Sequence, residues 1–125
     1  MISSEETAVK LEHRKQAEKV KGFLHHFGVL YKARFGTTYQ CFFSKDTKLI
    51  KKLLEDSSIE ELYNMAWLFF HCQSDFIHKA GHSIGVFYSQ IHKLKEQWHY
   101  STNGLSQSYI KELMTTGELG NMVRL

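Results

Sequence analysis

Apolar residues recur at three- and four-residue steps along most of this chain, which is the spacing of a buried helix face. One such stripe ends at Gly36, where a helix can stop, and it comprises Val20, Phe23, Leu24, Phe27, Leu30, Tyr31 and Phe35. A second stripe follows a possible helix cap, His82-Ser83, and it comprises Ile84, Phe87, Tyr88, Ile91, Leu94 and Trp98. We expect the helix with the second stripe to be central, with the rest of the chain packed on it.

Gly85 lies inside this second helix. Glycine in a helix interior lowers helix stability by about 1 kcal/mol relative to alanine, so a specific structural role is expected for it. We expect it to let another backbone approach the helix closely.

Shorter helices are predicted on either side of the second stripe. Ser44 is expected to cap a helix that begins at Lys45 and ends near Glu55. Ser57 and Glu60 have the spacing of a capping box, which predicts a further helix to about Cys72. The remaining predicted elements are a first turn capped by Ser3 and Glu6, a short helix from Ser74-Asp75 to Ala80, and a last helix that begins at Ser106 or Ser108 and ends at Gly117 and Gly120.

These elements predict an all-α fold, a compact bundle of five to six helices with a long basic N-terminal helix. We expect one helical domain over residues 1–125, with its core at about 18–98 and a loosely packed C-terminal extension at 99–125. The only strand-like segment is Thr37 to Phe43. Without a second strand to pair with, it is interpreted as an extended connection that places Tyr39, Phe42 or Phe43 in the core.

The composition is that of an ordinary folded protein, with 42% hydrophobic and 14% aromatic residues. The longest apolar run, Met65 to Phe70, is far shorter than the roughly 20 residues that span a bilayer, and no leader-like segment follows Met1. A cytoplasmic protein is therefore expected. Cys41 and Cys72 are too few for a disulfide framework and are expected to be reduced thiols.

The charge is distributed unevenly along the chain. Residues 10–52 contain eleven Lys or Arg and three acidic residues, whereas residues 53–125 contain five basic and eight acidic ones. The N-terminal half therefore has a basic surface that suits a polyanion such as nucleic acid, although a solvated helix face is an equally ordinary interpretation. A basic amphipathic helix also suits an anionic membrane or a partner protein, and the sequence alone does not choose among them.

The histidines and cysteines suggest no definite metal or catalytic site. His71, Cys72, His78 and His82 cluster in the sequence. Cys72, His78 and His82 could supply three metal ligands, with Cys41 as a conceivable fourth, but their spacing is not a recognised zinc-binding pattern. Cys41 or Cys72 with a histidine is a possible nucleophile and base, but nothing in the local sequence indicates an activated thiol. A phosphate-binding glycine loop and paired carboxylates are lacking. We therefore predict no metal, no cofactor and no catalytic residue, and hence not an enzyme. Most aromatic residues are expected in the core, and the better candidates for stacking on bases are Tyr31, Tyr39 and Trp98.

Several sequence blocks between Tyr31 and Leu94 resemble a small helical domain of phage-encoded replication proteins, of the replisome-organiser or helicase-loader kind. These blocks are Tyr31-Lys32-Ala33-Arg34-Phe35-Gly36, Lys45-Asp46, Leu53-Leu54, Phe69-Phe70, Asp75-Phe76-Ile77 and Lys79-Ala80-Gly81-His82-Ser83-Ile84-Gly85-Val86-Phe87. The resemblance covers about half of the chain and implies a phage or mobile-element protein that works near DNA replication. The DNA-reading domain that usually precedes this helical domain is expected to be missing, with the basic helix from Lys10 to Arg34 in its place.

The basic segment and the resemblance together predict a non-enzymatic accessory protein that associates with DNA or RNA, without reading sequence, or with a nucleoprotein complex. No membrane partner is predicted. The residues expected to neutralise phosphates are Lys15, Lys19, Lys32, Arg34, Lys48, Lys51 and Lys52. The alternative is a protein-interaction module that inhibits or adapts a host nucleic-acid machine, as anti-CRISPR proteins do. The sequence predicts neither the oligomeric state nor the partner's identity.

Overall fold

The fold is built from α-helices joined by short connections. The computed structural model describes the backbone from Ser4 to Leu125 and the side chains from Thr7 onward; the predicted cap at Ser3 and Glu6 lies outside this described part. The helices are α1 (Ser4–Phe35), α2 (Phe43–Asp56), α3 (Ile59–His71), α4 (Asp75–Ala80), α5 (Ile84–Thr102), α6 (Gln107–Thr116) and α7 (Glu118–Met122). The predicted all-α class is confirmed. Within residues 4–125 the helices number seven, because the chain enters α7 directly after the left-handed Gly117 that ends α6.

The long first helix is only half covered by the rest of the chain. With 32 residues α1 is about 48 Å long. Val20, Phe23 and Phe27 are buried, whereas nearly all described side chains before Val20 are exposed. The apolar stripe predicted for this helix thus forms its packed half, and Gly36, with a positive φ of 75°, follows its end as expected. No helix in the described range has the length and the apolar character needed to cross a membrane.

A cluster of aromatic rings forms the centre of the core. Phe27 of α1 contacts Phe69 and Phe70 of α3 and Phe87 of α5, with ring centroids 6.1, 4.9 and 6.0 Å apart. Helix α3 packs against α1, α5 and α7, while α5 packs against α3 and α2. The central position expected for α5 therefore belongs to α3, which is buried on most sides at its C-terminal end.

Close backbone approach occurs at a different glycine from the one predicted. A Cβ atom at Gly85 would meet only the Ser83 Oγ at 3.7 Å, an ordinary contact, so the expectation for Gly85 was wrong. A Cβ atom at Gly120 would lie 2.5 Å from the His71 carbonyl oxygen. The absence of a side chain at Gly120 is what lets α7 pack directly on the end of α3.

The C-terminal segment is attached to the core at two places. Ile110, Leu113 and Leu119 form a small second cluster with Trp67 and Trp98. Val123 is fully buried in the main core, and Gln73 pairs with Arg124 in a single parallel bridge. These contacts define the packing of residues 99–125, and the expectation that this extension is loosely held remains a prediction.

Candidate nucleic-acid interface

A groove between α1 on one side and α2 with the connection that precedes it on the other combines basic and apolar side chains. It consists of two adjoining clefts of about 370 and 460 Å³, and Lys21, Leu24 and Phe43 line both of them. We call it the α1–α2 groove. Its remaining lining residues are Arg14, Ala17, Glu18, Val20, His25, Gly28, Val29, Lys32, Thr38, Tyr39, Cys41, Thr47 and Lys51.

The cations of this groove follow from helical spacing. Arg14, Lys21 and Lys32 are separated by seven and eleven residues, which places successive side chains within about 20° of one another around α1. They extend over about 27 Å of the helix. Lys51 of α2 lines the same cleft as Arg14 and Lys21, and Glu18 is the groove's only carboxylate among the described side chains. None of these four cations forms an ion pair with a described residue, so their charge is available to a ligand.

A buried carboxylate fixes the start of α2 and thereby the position of Phe43. Asp46 is 2% exposed, and its Oδ2 accepts hydrogen bonds from the Tyr39 hydroxyl at 2.9 Å and the Phe42 N–H at 3.2 Å. The Tyr39 hydroxyl in turn accepts from the Ile84 N–H at 3.0 Å. Burial raises the pKa of Tyr39 well above its usual range, so its hydroxyl stays protonated and donates to Asp46. The connection, α2 and α5 are held together at this point.

This arrangement corrects one local expectation and confirms another. Helix α2 begins at Phe43, without a side-chain cap, so Ser44 lies inside its first turn and does not cap it. Tyr39, Phe42 or Phe43 was expected to enter the core from the connection, and Tyr39 does so. Phe42 and Phe43 are 71% and 69% exposed. The exposed ring of Phe43, beside cations that have no ion pair among the described residues, is the feature of the groove that the sequence did not predict.

The seven basic residues predicted as phosphate contacts are all exposed but point in several directions. Lys32 and Lys51 line the α1–α2 groove. Lys15 and Lys19 lie on the opposite edge of α1, in a cleft that also contains Glu12 and Glu60. That cleft has as many acidic as basic side chains and is a poor match for a polyanion.

The other three predicted residues lie elsewhere. Lys52 lines a cleft against α5 together with Lys95 and His92. Lys48 lies between Lys51 and Lys52 in helical angle and is directed to solvent. Arg34 lies at the end of α1, with its guanidinium 5.4 Å from the centroid of the Phe35 ring. The sequence-derived set is therefore not one surface. Arg14, Lys21 and Phe43 were missing from it, and the seven- and eleven-residue spacing was the signal that identifies the first two.

The aromatic residues predicted to stack on bases are largely occupied by the fold. Tyr31 packs against Phe35 and Tyr39, with ring centroids 4.8 and 5.3 Å away. Tyr39 is the hydrogen-bonded link already described, and the half-buried Trp98 packs against both hydrophobic clusters. These three rings are thus poorly placed to stack on a ligand, in contrast to Phe43.

His82 and Cys72, two of the residues considered as metal ligands, are packed into the core, whereas Cys41 is exposed. His82 stacks on Phe70 with ring centroids 5.3 Å apart and lies 5.9 Å from His78. Cys72 is buried, and burial raises the pKa of its thiol to about 11. In the part of the chain from Ser4 onward that can be described, no group of three or more His, Cys, Asp or Glu side chains is arranged to hold a metal ion.

Comparison with known proteins adds no family to this description. No protein-family model, curated protein or solved structure matches the chain.

Proposed function

We propose that this chain is a non-enzymatic accessory protein that associates with nucleic acid, or with a nucleoprotein complex, through the α1–α2 groove. The observation that supports this most directly is the row of four cations, Arg14, Lys21, Lys32 and Lys51, which form no ion pair with the side chains described from Thr7 onward and have one described carboxylate among them. Such a row neutralises a phosphate backbone and releases its counterions on binding.

The proposed association is independent of sequence. Lysine and arginine side chains spread along a helix contact phosphates and fix the register of a nucleic acid, but they do not read base edges. The resemblance of the segment from Tyr31 to Leu94 to phage replication proteins suggests that the complex in question is one of DNA replication in a phage or mobile element, acting in the cytoplasm. The groove lies partly within that segment and partly on the basic helix that precedes it.

The proposal is tested by fluorescence-anisotropy titration of labelled single- and double-stranded DNA and RNA at two salt concentrations. A variant with Arg14, Lys21 and Lys51 changed to Gln removes three groove cations. Its matched control, with Lys15, Lys19 and Lys48 changed to Gln, removes the same charge from outside the groove. We expect the groove variant to reduce the slope of log affinity against log salt by about 2, and the control to change it much less.

Two outcomes would overturn the proposal. Absence of binding at low salt would exclude nucleic acid as the direct partner. Equal losses in the two triple variants would mean that the overall charge attracts the polyanion and that the groove has no special role.

A second candidate function is a protein-interaction module that inhibits or adapts a host nucleic-acid machine. It is favoured by the apolar part of the groove, where Val29 is 53% exposed beside Leu24 and Phe43. Such a surface suits an acidic protein partner with an apolar anchor. The two functions are distinguished by what the protein binds. In the first case DNA or RNA alone binds to it, whereas in the second case binding requires the partner protein.

A further inference from the structure

We infer that the ligand of the α1–α2 groove is an unpaired strand, one base of which stacks on the ring of Phe43. This inference rests on the proposed function and specifies the class of nucleic acid. It starts from the exposure of Phe43, whose ring is 69% accessible although it lines both clefts of the groove. A large apolar ring in that position is available to a ligand and contributes little to the core.

The ring lies among the cations that would hold a backbone. Phe43, Thr47 and Lys51 occur at four-residue steps on the side of α2 that faces α1, and about 12 Å of helix separates Phe43 from Lys51. Lys21 lines both clefts together with Phe43. A strand whose phosphates contact these lysines therefore has its bases within reach of an exposed aromatic face, which is the combination that single-strand-binding proteins use.

The ring is presented by a fixed element. The backbone N–H of the preceding residue, Phe42, donates to the buried Asp46, and Asp46 is also bound by Tyr39. The first turn of α2 is thus tied to the core although the Phe43 side chain is not. The backbone that carries the ring is therefore already ordered, and stacking of a base costs only the rotamer freedom of the Phe43 side chain itself.

A duplex and a second copy of this chain fit the groove less well. In a duplex the faces of the bases are covered by their neighbours, so the ring would meet only backbone and groove edges. A second copy would bring another set of four cations and one carboxylate against the first, which electrostatic repulsion opposes. A single strand can contact the cations with its phosphates and the Phe43 ring with an unpaired base.

The test compares three labelled probes of about 12 nucleotides, within the range that single-strand-binding modules cover. They are oligodeoxythymidine, an abasic strand of the same length, and a duplex of the same length. Each is titrated with the wild type, with Phe43→Ala and with Phe42→Ala. Phe42 is the matched control. It is as exposed as Phe43, but it is not among the described residues that line either cleft.

We expect oligodeoxythymidine to bind more tightly than the abasic strand and the duplex. Phe43→Ala should weaken that binding by about 5- to 100-fold and leave abasic binding unchanged, Phe42→Ala should have little effect, and Phe43→Trp should restore or tighten binding. Because both rings are exposed, circular dichroism is expected to show the same fold for all variants.

The outcomes separate this inference from the proposed function. If all probes bind, the triple groove variant weakens them, and Phe43→Ala changes none of them, the stacking inference is wrong and the phosphate-binding groove stands. A duplex bound more tightly than the single strand would also overturn the inference. If no probe binds, both proposals fail. If, in addition, a protein partner binds the wild type and does not bind Phe43→Ala, the Phe43 ring belongs to a protein interface.

Discussion

His82 should make the stability of this protein depend on pH below neutrality. The imidazole is 9% exposed and lies between the rings of Phe35, Phe69 and Phe70, with centroids 5.0, 5.0 and 5.3 Å away. The nearby titratable or charged groups that act on it are His78 of α4 and Arg34 of α1, which both disfavour a further positive charge. Burial, then His78 and then Arg34 lower the pKa of His82 from 6.5 to about 4.

The size of the effect follows from proton linkage. Between about pH 6.5 and pH 4 the unfolded chain binds a proton at residue 82 that the folded protein does not, so stability is present above this range and decreases as the pH falls through it. At 1.36 kcal/mol per pH unit, the full loss is about 3 kcal/mol. The three surrounding rings attract an imidazolium through cation–π contacts, so this figure is an upper bound.

The measurement is urea unfolding at steps from about pH 7 to pH 4 at constant ionic strength. His82→Gln removes the titrating group and keeps a polar side chain. We expect the wild type to lose up to about 3 kcal/mol more than this variant over the range. His99→Gln, at an exposed histidine, serves as the control and should follow the wild type. If the wild type and His82→Gln have parallel stability curves, protonation of His82 does not determine the acid sensitivity.

The remaining predictions concern the packing of the backbone and the buried carboxylate, and all are measured as free energies of unfolding in urea. Gly120→Ala should destabilise the protein by about 1–3 kcal/mol because the new Cβ would overlap a carbonyl of α3. Gly28→Ala should instead stabilise it by up to about 1 kcal/mol, since that position in α1 has open space and a helical backbone. Tyr39→Phe should cost about 1–3 kcal/mol because Asp46 and the Ile84 N–H both lose a partner. A neutral effect of Gly120→Ala or Tyr39→Phe would contradict the corresponding contact.

The all-α class and most helix ends could be predicted from the sequence because their signals are local. Ser74 and Ser83 accept hydrogen bonds from backbone N–H groups at the predicted helix starts, and Ser106 proves to be the cap of α6. The prediction failed by one residue at α3, where Ser58 is the cap. Ser57 instead accepts from the Lys95 ammonium, a contact over 38 residues that capping-box spacing does not report.

The candidate groove could be predicted only in part because its composition depends on how two helices meet. The excess of positive charge in residues 10–52 is visible in the sequence, but its distribution among separate faces is not. In the sequence Asp46 is only one of the three acidic residues that offset the positive charge of residues 10–52. In the fold the buried Asp46 carboxylate accepts hydrogen bonds from the Tyr39 hydroxyl and the Phe42 N–H. These bonds fix the start of α2 and thereby hold Phe43 beside α1.

The basic residues of the segment 10–52 therefore do not form the one uniform surface for a polyanion that the sequence suggests. Their positive charge is instead concentrated in the α1–α2 groove. Lys15 and Lys19 share their cleft with Glu12 and Glu60, and Lys52 faces away towards α5. If a polyanion binds as proposed, it would meet an excess of positive charge and an apolar contact together in the α1–α2 groove, where the cations have no ion pair among the described side chains and the Phe43 ring is exposed. Charge removed from this groove should consequently matter more than the same charge removed from the opposite edge of α1, which is the comparison that separates a specific interface from general attraction.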